Sequence, residues 1–410
     1  MESTALESVY MESTALESVR AVIGAYVGAL DDLSELPAVF ATIPDPRRAR
    51  GKRYELWFLL VCLTAAFLSN CDSLDAVGQW CALHRAELAR YCGPRRHLTP
   101  TGSLFRWLLP RLSVAAIEGA LARWTQRKLA APADDALALD GKTARGARAG
   151  EGSAPHFLSL STHATQETLC QAAVGEKTNE IPVAQALLRV LPIAGRVITA
   201  DALHTQVETA RLIRERDAHY LLPVKENQPR LYEECAAYFS DPTARVGRLE
   251  QSEGPRAHRV TRTLFATTRL NRHLARYSRF PGIAQVLCLL TTTRRRGHEK
   301  REVRFFLTSL MPPRADLRTL LRLIRGHWSI EAKHLIRDVT FGEDRSRVRT
   351  GQAPQVLAAL RNLAITLLRR LEVRNVAAMR RHFAARPAEA LETLGLRPCS
   401  VVPWPTRRCA

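Results

Sequence analysis

Two short apolar runs, Leu137-Ala138-Leu139-Asp140 and Val197-Ile198-Thr199-Ala200-Asp201, each pass straight into an aspartate. A brief continuous apolar run bounded by polar or turn residues reads as a strand buried on both faces. Strands of that kind belong to parallel sheets covered by helices. From residue 136 the pattern reads as a strand at 136–140, a strand pair at 156–163 and 168–174, and a helix at 182–191. The second Asp-ended strand follows at 196–201, then a helix at 205–217, a strand at 219–225 and a helix at 229–239. The order βββαβαβα predicts a mixed sheet flanked by helices. In open α/β sheets, functional groups gather at the carboxyl ends of strands. Each aspartate also has a plainer explanation, since Asp140-Gly141 is a turn dipeptide and Asp201 can cap the helix that follows.

A third acid lies on the helix expected at about 315–336. Leu317, Leu321, Ile324, Trp328 and Leu335 follow the 3.6-residue period and define its inward stripe, and Glu331 falls on that stripe. A core-facing carboxylate needs a charge partner or a metal ion, and the many arginines offer the first. Three inward acids on separate elements also suit two divalent cations, Mg²⁺ with Mn²⁺ as a substitute, because both prefer hard oxygen ligands. Two ions ~3.5–4 Å apart activate an attacking oxygen and stabilise the leaving oxygen of a phosphodiester. The Gly141-Lys142-Thr143 triplet is not a phosphate-binding loop, because the first glycine of that motif falls on Ala136. His327 and His334 lack partners at metal-ligand spacing, which leaves them structural or DNA-contacting roles.

The segments around this core differ in character. Residues 247–310 carry β-type patterning, and 254–304 hold 13 Lys/Arg against 2 Glu, a net of +11. A basic β insertion of this kind is either a DNA-contacting surface or a solvated charged face. Residues 36–130 read as all-helical: a basic linker (Ile43–Arg53), helices at about 54–69 and 73–90, and two shorter ones with Thr101 and Ser113 as N-caps. With Arg95 and Arg96 in a loop, this region is either a small DNA-binding domain or plain helical packing. Helices at about 353–370 and 373–384 add an arginine cluster, Arg369, Arg370, Arg374, Arg380 and Arg381. The first 35 residues contain the duplicated string MESTALESV and a net charge of −6, an acidic leader without evident chemistry. The expected domains are the leader (1–35), the helical domain (36–130), an α/β domain (131–395) with its insertion at about 245–312, and a tail (396–410).

Composition narrows the class. Of 410 residues, 46% are hydrophobic and 24% charged, which is globular rather than disordered. The net charge of +20 points to a polyanionic partner, although only 7 of the 60 basic residues are Lys and codon bias gives the same excess. The most apolar run, Leu56–Leu68, has 13 residues. A bilayer span needs ~20, so the run reads as a buried helix and no membrane partner is expected. There is no basic n-region or cleavage site for a secretory signal, and the nine cysteines form no C-x-x-C pair. That usage fits a reducing cytosol and argues against zinc.

At these residues the chain resembles a bacterial insertion-sequence transposase of the DDE class, in the H-repeat-associated branch with a β insertion. The blocks that carry the resemblance are IPDPRRARGKR, LALDGKTARGA, VGEKTNEIP, VITADALHTQ, HYLLPVKENQPRLY and GHWSIEAKHLIRDVTFGEDRSRVRTG, in that order from Ile43 to the C-terminal helices. The resemblance implies an RNase H-like catalytic core with Asp140, Asp201 and Glu331 as catalytic and metal-binding acids, served by two Mg²⁺ ions. It implies metal-dependent cleavage at transposon ends and strand transfer by direct transesterification. The partners would be double-stranded DNA, both terminal inverted repeats and target, and a second copy of the chain in a synaptic homodimer. The protein would be cytoplasmic and nucleoid-associated when bound. Lys142, Lys225, Asn227, Arg325, His327, Lys333, Arg345 and Arg347 are the DNA-binding candidates, and Trp328 either stacks on a flipped base or packs in the core. Two other readings share the core: a domesticated, non-catalytic DNA-binding regulator, and a hydrolytic nuclease that cuts without joining. The intact acids argue against the regulator.

Overall fold

The computed structural model describes residues 36–399 apart from 51, 94–98, 129–135, 149–152, 176–178, 256–257 and 297. The acidic leader, the Arg95–Arg96 loop and most of the tail lie outside the described residues. The chain opens with α1 (Leu36–Ala41), α2 (Leu56–Leu68), α3 (Leu74–Leu83), α4 (Arg85–Cys92), α5 (Gly102–Leu108) and α6 (Val114–Lys128). Helix α2 is apolar all round and buries every residue except Trp57, as a central core helix must. The single helix expected at 73–90 is broken at His84 into α3 and α4. The hydroxyls of Thr101 and Ser113 accept the backbone N–H groups of Leu104 and Ala116, so both expected N-caps are present.

Nine strands form one mixed sheet. They are β1 (Leu137–Thr143), β2 (His156–Thr162), β3 (Thr168–Val174), β4 (Val197–Ala200), β5 (His219–Val224), β6 (Gly247–Glu253), β7 (His258–Thr267), β8 (Gln285–Arg295) and β9 (His298–Thr308). Their spatial order is β3-β2-β1-β4-β5-β9-β8-β7-β6. β4 runs parallel to β1, with Leu137 opposite Ile198 and Leu139 opposite Ala200, and parallel to β5. Parallel neighbours need crossovers, and these are α7 (Glu180–Val190) before β4 and α8 (Val207–Glu215) after it. The β1 strand continues through Asp140-Gly141 to Thr143, so the turn reading of that dipeptide is wrong.

The insertion follows α9 (Pro229–Ser240) and is not a separate lobe. β6 to β9 form an antiparallel meander whose last strand pairs with β5, Leu221 opposite Thr308 and Val224 opposite Phe305. It extends the core sheet, and a helix the patterning did not show, α10 (Asn271–Ser278), joins β7 to β8. The distal ends of β8 and β9 are exposed, and their charges meet in pairs such as Arg294–Glu299 and Arg301–Glu299. Exposed pairs of this kind contribute little stability.

The long helix α11 (Leu317–Leu335) lies against the sheet through Leu320, Leu321, Leu323 and Ile324. The inward stripe read from the sequence holds only for the first half. Leu335 is 61% exposed and Glu331 is exposed, whereas Lys333 is buried at 2%. Buried Ile330 and a set of polar contacts fix the second half instead. Lys333 Nζ donates to Ser161 Oγ (2.9 Å) and Thr168 Oγ1 (2.5 Å), and Gln166 Nε2 donates to the Ser329 carbonyl (3.2 Å). Thr199 Oγ1 sits between His163 Nε2 (2.8 Å) and His327 Nδ1 (3.0 Å). Gly326 permits this approach, since a Cβ there would come 2.2 Å from His163 Nδ1.

After α11 come α12 (Ala353–Arg370), α13 (Val376–Ala385) and α14 (Pro387–Thr393). Their apolar residues join one core with those of α1 to α6, and the chain divides into two compact units, each assembled from more than one stretch of sequence. One unit holds Leu158–Lys333 with the start of β1. The other combines the N-terminal helices with Thr143–Phe157 and the segment after His334. Much of the late arginine cluster serves this second core. Arg380 is fully buried and donates to the carbonyls of Phe67 and Thr340 and to Asp72. Arg369 donates to the Val373 carbonyl, and Arg370 lies 4.3 Å from the Trp124 ring centroid. Arg374 and Arg381 stay exposed.

Two outcomes follow for the docking of α11. Gly326→Ala should destabilise the protein by about 1–3 kcal/mol, the usual cost of overpacking a tight contact, measured by denaturant unfolding. Burial pushes the His163 imidazole down to about 3, with His327 adding to the effect, and burial pushes His327 down to about 4. Both rings are therefore neutral in the fold, while the unfolded chain binds their protons below about 6.5. The unfolded state then carries more protons, so stability should fall as pH drops from about 6.5 toward 4. His163→Gln should flatten that fall in a series of thermal melts across the same range.

Candidate active site

The site is built where the pairing of two neighbouring parallel strands, β1 and β4, ends. Leu139 and Ala200 are register partners, and each is followed at once by an acid, Asp140 on β1 and Asp201 after β4. Asp201 is half exposed and caps the one-turn helix Ala202–His204, its Oδ1 accepting the Leu203 N–H at 3.0 Å. The capping explanation is thus realised, and it also holds the carboxylate at the strand end. Asp140 is more enclosed. Burial, followed by the charges of Asp201 and Glu180, pushes its carboxyl up to about 7. Like charges and a low-dielectric surrounding both disfavour the ionised form.

Asp201 and Glu331 line the same cleft, about 790 Å³ in volume. One wall is the face of α11 that presents Ile324, His327, Trp328 and Glu331 at helical spacing. Another is the end of β5 with Lys225, Glu226 and Asn227, and a third is β9 through Glu302, Val303, Arg304 and Phe306. The pairing of β9 with β5 is what brings the basic insertion to the cleft. Arg304 lies 4.8 Å from the Trp328 ring centroid and is paired with Glu302 at 2.7 Å. Trp328 also packs on the apolar cluster under the sheet, which favours the packing reading over base stacking.

The three acids are thus linked in two pairs, Asp140 with Asp201 by the register of β1 and β4 and Asp201 with Glu331 by the cleft. Asp140 does not line the cleft, and among the described residues no three His, Cys, Asp or Glu side chains are gathered closely enough to hold an ion. The DNA-binding candidates divide sharply. Lys225 is exposed in the cleft, and Arg325 is part-exposed and paired with Glu253 at 2.5 Å. Asn227 lines the cleft but donates to the Ala202 carbonyl at 2.8 Å, tying the turn that carries Asp201. Lys142 and Lys333 are buried at 7% and 2%, so neither offers its ammonium to a phosphate. His327 is kept neutral by burial and belongs to the Thr199 contact. Arg345 and Arg347 are exposed and lie in the other unit.

Two polar residues near the acids were missed in the sequence, Glu180 and His204. Both sit inside blocks that carry the family resemblance, VGEKTNEIP and VITADALHTQ, but neither has a spacing that signals a role. Asn179 is the available signal for the first, because its side chain caps α7 and so places Glu180 in the first turn.

The chain is similar in sequence to known proteins. Residues 131–367 match the transposase DDE domain family, and residues 38–125 match the DDE_Tnp_1-associated family. The chain is 25% identical over 342 residues to YncI of Escherichia coli O157:H7, which bears the name of a transposase, covering 80% of this chain and 86% of that one. It is 25% identical over 351 residues to the H repeat-associated protein YhhI of Escherichia coli K12, with 82% and 91% coverage. A piggyBac transposase synaptic complex with hairpin DNA aligns over 93% of this chain and 81% of its own at a TM-score of 0.44 and 12% identity. With the DDE domain spanning more than half its length, the chain belongs to the transposase DDE domain family.

Proposed function

We propose that this chain is a catalytically competent DDE transposase that cuts at transposon ends and joins the freed 3′-hydroxyl to target DNA by transesterification. The observation that carries the reading is the pair Asp140 and Asp201, each directly following a register partner on β1 and β4, so that the charge of Asp201 raises the cost of ionising Asp140. A structural scaffold accounts for a sheet, but not for an enclosed carboxyl whose ionisation is opposed by a second carboxylate. Such an arrangement is characteristic of functional sites.

The donor set fits hard divalent cations, since Asp140, Asp201 and Glu331 offer only carboxylate oxygens. These three would hold two Mg²⁺ ions, with Mn²⁺ as a substitute, and a cation would relieve the like-charge cost at Asp140. When bound, the ions supply Lewis-acid activation of the attacking oxygen and stabilisation of the leaving one. The chain's own part is positioning. Asn227 holds the Ala202 turn and hence Asp201, α11 presents Glu331, and Lys225 and Arg304 offer positive charge to the DNA backbone in the cleft. The partners in this reading are terminal-repeat and target DNA, with two copies of the chain in the synaptic complex and the bacterial nucleoid as the place of action.

The decisive measurement is cleavage and joining of labelled transposon-end DNA in Mg²⁺. Asp140→Asn, Asp201→Asn and Glu331→Gln should each lower both steps by more than ~100-fold, since even outer partners of metal ligands cost 10–100-fold. End binding should stay within a few fold of wild type. Cleavage without joining by the wild-type chain identifies a nuclease, and binding without cleavage identifies a regulator. A second measurement separates the two lysines. Lys225→Ala should flatten the plot of log affinity against log salt by ~0.9, the contribution of one phosphate contact. Lys333→Ala should leave that slope unchanged and lower the thermal midpoint instead.

A further inference from the structure

The surroundings of Asp201 contain two groups that the proposed reaction does not use. Glu180, at the start of α7, places its Oε2 3.1 Å from Nε2 of His204. The same Nε2 lies 4.0 Å from Oδ1 of Asp201. His204 is fully buried, and its Nδ1 has no hydrogen-bond partner among the described residues. An imidazole with one unsatisfied buried nitrogen is a costly way to fill space, and an apolar side chain would fill it without that cost. Two carboxylates from two different elements face its other nitrogen, Glu180 within hydrogen-bond distance and Asp201 just beyond it. Asp201 is half exposed, and the Leu203 N–H is the one backbone donor seen on its carboxylate among the described residues. The charge of Glu180 also reaches Asp140, where it acts in the same direction as that of Asp201.

We propose that Glu180 and His204 are positioning residues of the active site. His204 bridges Glu180 to Asp201 and fixes the Asp201 carboxylate, while Glu180 adds a fourth negative charge to the field that attracts the cations. The inference rests on the reading of Asp140 and Asp201 as cation ligands. Partners that orient ligating carboxylates from behind typically set metal affinity by 10–100-fold. The crossover topology makes this arrangement available: α7 leads into β4, and the Ala202–His204 turn leaves it, so both ends of one strand connection return to the same acid.

The test is a titration of the metal-free, full-length chain with Mn²⁺, read by the electron paramagnetic resonance signal of the free ion, with no DNA present. Glu180→Gln and His204→Gln should each weaken Mn²⁺ binding by ~10-fold, with the thermal midpoint of Glu180→Gln unchanged and Glu180→Asp recovering most of the affinity. Asp201→Asn is the reference for the site itself. If Asp201→Asn weakens Mn²⁺ binding while Glu180→Gln and His204→Gln bind as wild type, the positioning role is overturned and the site stands. If Asp201→Asn binds as wild type, the site reading fails and this inference fails with it. Should His204→Gln not fold, Glu180→Gln decides alone. Equal losses in Glu180→Gln and Glu180→Asp together with a fall in thermal midpoint mean a structural role and also overturn the proposal.

Discussion

The polar clamp that holds α11 to the sheet is the contact on which the site depends. Glu331 sits on an exposed face of that helix, in its last turns, where Ile330 is the one apolar side chain still buried. Lys333, two residues on, is buried and donates to hydroxyls that begin or lie within β2 and β3. A buried ammonium is tolerated only where its protons find acceptors. The same contact is therefore sensitive to register, because a shift of α11 along the sheet strands the charge. The His163–Thr199–His327 contact adds a second fixed point, and Gly326 sets how closely the helix approaches. A flexible Glu331 would lose much of the advantage of orientation that a positioned carboxylate gives.

The chain supports the acids from the opposite direction as well. Asp140 and Asp201 are forced near each other by the register of β1 and β4, which neither residue can escape without breaking strand pairing. Their repulsion is a cost carried by the fold in the absence of a cation. Stability elsewhere has to absorb it, and the double-sided burial of β1 and β4 is suited to that purpose. In the proposed reading, a cation bound between these acids would release that cost.

What was legible in the sequence follows from where the physics is local. The apolar runs of β1 and β4 and the all-round apolarity of α2 are signals that a single strand or helix carries by itself, and each element lies within a few residues of its expected place. Thr101 and Ser113 were readable because a cap depends on three consecutive positions. The failures are long-range. Nothing in the periodicity of α11 distinguishes a Glu331 that faces the core from one that faces a cleft, and the helix turns one face to each. Lys333 and Lys142 resembled DNA contacts because lysine is rarely buried, and only the distant Ser161 and Thr168 reveal why Lys333 is. Glu180 and His204 meet through the crossover between β3 and β4, a relation with no sequence spacing to betray it. The meeting of the N-terminal helices with α12 to α14 in one core was hidden for the same reason.

The basic excess shows how far composition can mislead when read without burial. Arg337 and Glu343 form a fully buried bidentate pair at 2.8 and 2.7 Å, with Arg361 beside them, and Arg380 satisfies two carbonyls and Asp72. Arginine suits such places because its planar fork offers several donors at fixed angles and is less strongly hydrated than an ammonium. These residues enter the net charge but have no surface to offer DNA. In the insertion, several arginines meet a glutamate across or along a strand, so their field is partly cancelled before it reaches solvent. The charge that bears on function is therefore a small remainder. It lies where β5 and β9 pair at the mouth of the cleft, in Lys225 and, partly offset by Glu302, in Arg304, opposite the helix face that carries Glu331. The antiparallel joining of the insertion to the last parallel strand is what places positive charge beside the acids, and a DNA backbone entering the cleft would meet both.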